Sequence, residues 1–307
     1  MRIGKCPENA YKRSVKKYLQ PEILYTGQDQ TITVVRQTAL DHEMAPAVFL
    51  QDAINAACAQ DAKITGISVS LALGEQAEEA EISSLMKQLA GVANAEQIPL
   101  TEAAVSTFAG LGKAVLQIAV RANRNKAQMP VVKAGDLLLI GPIALGGTGI
   151  LAVEKEERLL ERFAKPFVKA AADFLAHLSV ADAAELAFET GAEYAYALGE
   201  GGVFAGLWEL ADSLGLGLCV DLKAITIRQE TVELCECFRI NPYQFLSTGA
   251  LLVVAKDGKR FCKELQQKGL EVSLIGSLQE GNDRIIRNDG ETRYLDLPQK
   301  DELYGIS

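Results

Sequence analysis

Two glycine-bearing turns are the stretches most suited to chemistry. "LGGTG" at 145–149 and "GEGG" at 199–202 each open what reads as a helix. A glycine turn at a helix N-terminus leaves backbone N–H groups free and lets a phosphate approach the chain closely. The same glycines also make a sharp strand-to-helix turn, and at 145–149 the two readings weigh equally. The second turn leads into "GVFAGLWELADSL", which is a well-built helix without any ligand. Val203, Leu207, Leu210 and Leu214 share one face, Phe204 and Trp208 stack on the next, and Gly215 is placed to cap the end.

Other reactive side chains are sparse. His42 and His177 are the only histidines, which excludes a histidine-rich metal site and argues against an imidazole base. Cys235 and Cys237 form "CEC" on an expected helix; two residues apart, they face different sides and cannot chelate one metal. The six cysteines are scattered through the chain and read as free thiols. Lys12, Arg13, Lys16 and Lys17 have helical spacing, which fits a solvated basic face. No Ser-x-x-Lys, Gly-x-Ser-x-Gly or Walker-type motif is present, so hydrolase and P-loop chemistry has no support.

The elements that must hold these residues follow from hydrophobic periodicity. Strands are expected at 22–26, 31–40, 64–73, 100–107, 113–122 and 136–145, with helices over 47–62 and 78–97. From the turn at 145–149 onward the chain reads as helices broken near Pro166 and Ser179. Strands and helices then intermingle, and a hairpin turns at "NDG". Strands and helices do not alternate strictly, which argues for α+β rather than a doubly wound sheet. The length of 307 residues and a boundary-like stretch before Gly135 divide the chain into 1–134 and 135–307.

The charge balance, 31 Lys and Arg against 40 Asp and Glu, gives −9. That is a poor match to duplex nucleic acid or an anionic membrane, both of which need clustered positive charge. The N-terminus lacks the apolar run of a secretory signal, and no apolar stretch has spanning length, so a cytoplasmic protein is expected.

Several stretches together carry a family resemblance: "RIGKCPENAYKRSVKKY", "KAGDLLLIGPIALGGTGILA", "GEGGVFAGLWELA", "INPYQFLSTGALLVVA" and "DLPQKDELY". The chain resembles the AIR synthase-related proteins, in the superfamily of aminoimidazole ribonucleotide synthase and the hydrogenase maturation factor HypE. The resemblance implies a two-domain α+β, PurM-like (HypE-like) fold. The N-terminal domain would pair with that of a second subunit as a shared β-barrel, and the C-terminal domain would be an α/β sandwich. It implies a homodimer and a possible maturation-protein partner. It also implies magnesium-ATP, bound between the domains and used to activate a small amide or carbamoyl oxygen.

Carried onto this sequence, the resemblance makes Asp29, Asp52 and Glu102 the magnesium ligands. Gly146, Gly147, Gly201 and Gly202 would approach the phosphates, with Lys12 and Arg13 facing them from the N-terminal arm. The chain also departs from the pattern. Gln37 or a neighbour stands where an aspartate is expected, Gln51 precedes Asp52, and the loop at 99–105 keeps Thr101 and Glu102 without glycines. Tyr196 and Ala197 replace a His-Asp pair, and the chain ends "DELYGIS" without a terminal cysteine. Without that thiolate there is no nucleophile for carbamoyl or cyanide transfer. The alternative is a non-catalytic dimeric module that keeps the fold for binding or partner docking.

Overall fold

The computed structural model describes residues 31–125 and 131–306. The strand expected at 22–26, and Lys12, Arg13 and Asp29, lie outside the described residues. The described residues form two sheets. The first has the order β1-β4-β2-β3, built from β1 (Thr31–Ala39), β2 (Ala62–Gly74), β3 (Leu100–Phe108) and β4 (Val115–Arg124). β1 and β2 flank β4 antiparallel, and β3 runs parallel to β2.

Alternation along β1 and β4 sends Ile32, Leu116, Ile118 and Val120 to one face. Helices α1 (Ala45–Cys58) and α2 (Glu79–Ala95) bury that face through Phe49, Leu50, Ile54 and Leu89. Among the described residues no element covers the other face. Val35 of β1 and Phe108 of β3 stand exposed on it, and among the described residues β1 and β3 are the edges of the sheet.

The second sheet has the order β11-β10-β7-β9-β5-β8-β6. Its strands are β5 (Gly135–Ile140), β6 (Tyr194–Ala197), β7 (Gly217–Asp221), β8 (Leu251–Ala255), β9 (Val272–Gln279), β10 (Arg284–Asn288) and β11 (Glu291–Tyr294). Its helices are α3 (Leu145–Glu154), α4 (Glu156–Leu160), α5 (Lys165–Ala172), α6 (Ala181–Thr190), α7 (Gly202–Leu214), α8 (Gln229–Phe238) and α9 (Gly258–Gln267). β5 and β8 are buried on both faces, as continuous Leu/Val runs demand. β5 is shorter than the expected 136–145 strand, because Gly141 at φ 78° turns the chain toward α3. The "NDG" turn forms as read, with Asp289 and Gly290 both left-handed.

Helix α1 joins the two halves. Val48 packs into the core of the second half. Asn55 donates from Nδ2 to the Leu178 carbonyl at 2.7 Å and accepts the Val180 N–H at 3.1 Å. An element with one face on the first sheet and another on the second half fixes how residues from the two halves meet.

Candidate functional site

The turn before α7 is genuinely left-handed. Gly201 has φ 84° and Gly202 φ 67°, a region that costs L-residues about 1–2 kcal/mol. A Cβ on Gly202 would fall 2.6 Å from the Tyr243 carbonyl and 2.7 Å from the Phe245 nitrogen. The Gly201 N–H points at an anion, and that anion is the chain's own: it donates to Asp301 Oδ2 at 2.6 Å. Asp301 comes from the C-terminal segment, is buried, and its Oδ1 accepts the Leu303 N–H at 2.8 Å. Burial pushes the Asp301 carboxyl up to about 7, although the N–H groups of Leu303 and Gly201 pull it down.

The turn before α3 is filled differently. Ala144 is left-handed at φ 62°, and its N–H donates to Ser247 Oγ at 3.0 Å. The Gly146 N–H donates to the Thr248 carbonyl at 3.2 Å and the Gly147 N–H to the Leu246 carbonyl at 2.9 Å. A Cβ on Gly147 would sit 2.5 Å from the Phe245 ring. These glycines let the 245–248 loop lie against the helix start, and their N–H groups are spent on it. Of the two readings of "LGGTG", the close-packed turn describes the structure.

Asp52 lies on α1, buried, where the two halves meet. Its Oδ2 accepts from Arg36 Nε of β1 at 2.9 Å. Its Oδ1 faces Gly199 so closely that a Cβ there would be 2.0 Å away. Thus, among the described residues, the one predicted metal ligand at this junction is already in an ion pair and packed on the glycine turn. Arg36 Nη1 also donates to the Val35 carbonyl at 3.3 Å. Tyr196, at the departure from the His-Asp pair, donates its hydroxyl to Glu209. Burial drives the Tyr196 hydroxyl well above its ordinary range, with Glu209 adding to it.

Glu102 is elsewhere. It pairs with Ser68 on β2 and accepts the Ser68 hydroxyl at 3.1 Å. The register Val35–Ala119–Ser68–Glu102 puts it on the uncovered sheet face, whereas Arg36 and Asp52 lie on the helix-covered one. Asp52 and Glu102 of one chain therefore cannot share an ion. Among the described residues no group of three His, Cys, Asp or Glu side chains could hold a metal. Magnesium demands several oxygen donors at about 2.0–2.1 Å, and the described residues do not assemble them.

Sequence reasoning missed two features. Arg36 gave no sign of its partner, because Asp52 is on another element. His42 pairs through Nδ1 with Glu154 Oε2 at 2.6 Å, both largely buried. They border a cavity of about 450 Å³ together with Lys113, Lys155 and Tyr304. A partner 112 residues away leaves no local signature. Phe204 and Trp208 do not stack on each other: Phe204 stacks on Tyr243 with centroids 5.2 Å apart, and the Arg284 guanidinium lies 3.9 Å over the Trp208 ring.

Comparison with known proteins places this architecture. The HypE–HypF complex superposes with a TM-score of 0.70 at 13% identity, covering 94% of this chain and 99% of that one. A hydrogenase maturation protein HypE in complex with ATP gives 0.69 at 12% identity, covering 98% and 97%. A ThiL complexed with AMPPCP and TMP gives 0.68 at 18% identity, covering 95% and 96%. No curated protein sequence matches the chain. The family model "AIR synthase related protein, C-terminal domain" matches residues 133–287, just over half of the 307 residues. The chain belongs to the AIR synthase related proteins and has the fold seen in HypE and ThiL.

Proposed function

We propose that the protein binds a nucleotide, ATP in the first instance, at the junction where α1 meets the 198–202 turn. One observation carries the reading. Asp52 of the first half and Gly199 of the second close on each other there, in a fold that holds ATP in one HypE and AMPPCP in one ThiL. Activation of a small amide or carbamoyl oxygen is the reaction that goes with this reading. The described residues do not assemble the oxygen donors that magnesium needs.

A homodimer through the first sheet belongs to the same proposal, supported by the uncovered face with Val35 and Phe108 exposed. No helix among the described residues is long and apolar enough to cross a membrane.

The second reading is a non-catalytic module of the same fold that docks a partner, as the HypE–HypF complex suggests for a relative. The spent N–H groups at 146–147 and the Asp301 carboxylate on Gly201 favour it. Thermal melting separates the two. Nucleotide at 100 times its Kd stabilises a folded protein by about 2.7 kcal/mol, a visible shift. An unchanged melting temperature at millimolar ATP removes the nucleotide reading and leaves the docking module.

A further inference from the structure

We propose that Arg36 is a phosphate-binding cation at this junction: its guanidinium, steadied by Asp52, meets nucleotide phosphate directly, and binding requires no divalent metal. The proposal rests on the nucleotide reading above and adds what neutralises the phosphate.

Arg36 is placed by strand geometry. It stands on the helix-facing side of β1, in register with Ile118, so its side chain reaches α1 rather than solvent beyond the sheet. There Nε is fixed on Asp52 Oδ2 at 2.9 Å and Nη1 on the Val35 carbonyl at 3.3 Å. The side chain keeps 33% of its surface exposed, against 7% for Asp52. The pair therefore buries the carboxylate and leaves part of the Arg36 side chain exposed, with Nη2 bonded to none of the described residues. A planar fork held at one edge and open at another suits phosphate oxygens, and arginine binds them bidentately.

Burial opposes the charge on Arg36. The Asp52 carboxylate, with Tyr196 and Glu209 beyond it, outweighs that and raises the guanidinium above its ordinary value.

The same contacts keep a metal out. An ion at Asp52 Oδ2 must approach within about 2.1 Å and would sit beside the guanidinium, where like charges repel. A nearby carboxylate among the described residues, Glu209, is bonded to the Tyr196 hydroxyl. Gly199 makes the arrangement possible, since any side chain there would strike Asp52 Oδ1.

Calorimetric titration of ATP into the full chain, once with excess EDTA and once with magnesium, tests the idea. The expected result is a Kd that differs less than about threefold between the two buffers. Arg36→Ala should weaken binding at least tenfold in both, while Arg36→Lys recovers part of it. Should Arg36→Ala not fold, the wild-type comparison and Arg36→Lys still decide. Wild-type binding that drops more than tenfold in EDTA overturns the metal-free cation while leaving the nucleotide reading intact. Equal affinity of Arg36→Ala and wild type overturns the phosphate contact. An absence of binding in both buffers overturns the nucleotide reading, and this inference falls with it.

Discussion

The two glycine turns look alike in sequence and do different work. Before α3, the N–H groups of Ala144, Gly146 and Gly147 meet neutral acceptors: the Ser247 hydroxyl and the carbonyls of Thr248 and Leu246. Before α7, the Gly201 N–H meets a carboxylate, Asp301. Both turns lean on the same 243–248 loop, one through Phe245 and Leu246, the other through Tyr243 and Phe245. The lesson is that a glycine turn advertises donors but not their recipient. Here the recipients are parts of the chain, one neutral and one acidic.

Substitutions at four positions probe this contrast. Gly202→Ala should cost most, about 2–5 kcal/mol, because a left-handed residue meets backbone atoms that cannot turn aside. Urea denaturation would measure it; a cost below about 1 kcal/mol would mean the 243–245 backbone yields. Gly147→Ala should cost about 1–3 kcal/mol, since its new Cβ meets a ring that can shift.

Asp301→Ala should cost about 1–3 kcal/mol by stranding the Gly201 and Leu303 N–H groups. Asp301 also sets a pH signature that the neutral turn lacks. Its folded value, about 7, lies above the ordinary 3.8, so the folded state holds the proton more tightly. That contribution is complete below about pH 4 and is lost as pH rises through about 7. The melting temperature of the wild type should fall across this window relative to that of Asp301→Asn. Parallel curves would show that the carboxyl titrates as it does in the unfolded chain. Ser247→Ala, on the neutral turn, should cost least, about 1 kcal/mol, with no pH dependence of its own.

Much of the scaffold was legible because periodicity is local. β1, β2, β3 and β4 lie where alternation put them. α7 buries Val203, Leu207 and Leu210 and ends at a left-handed Gly215, as its pattern required. The family signature in the second half likewise rests on contiguous stretches. The site was far less legible. Asp52 and Glu102 read as one ligand set, yet strand parity sends them to opposite sheet faces. The departure on β1 was read at Gln37 or a neighbour, and the meaning of Arg36 beside it came only when α1 set Asp52 against it. His42 was discounted because the chain has only two histidines, and its partner Glu154 comes from a distant helix.

By itself, then, the sequence determined the elements, the α+β class and the family, because each is written in residue spacing along the chain. Tertiary structure alone decided what the functional groups face. Asp301 on Gly201, Arg36 on Asp52 and Phe245 on Gly147 are contacts across 100, 16 and about 100 residues. Hydrogen bonds and ion pairs act over about 3 Å, and which groups come that close is fixed by packing rather than by sequence neighbourhood.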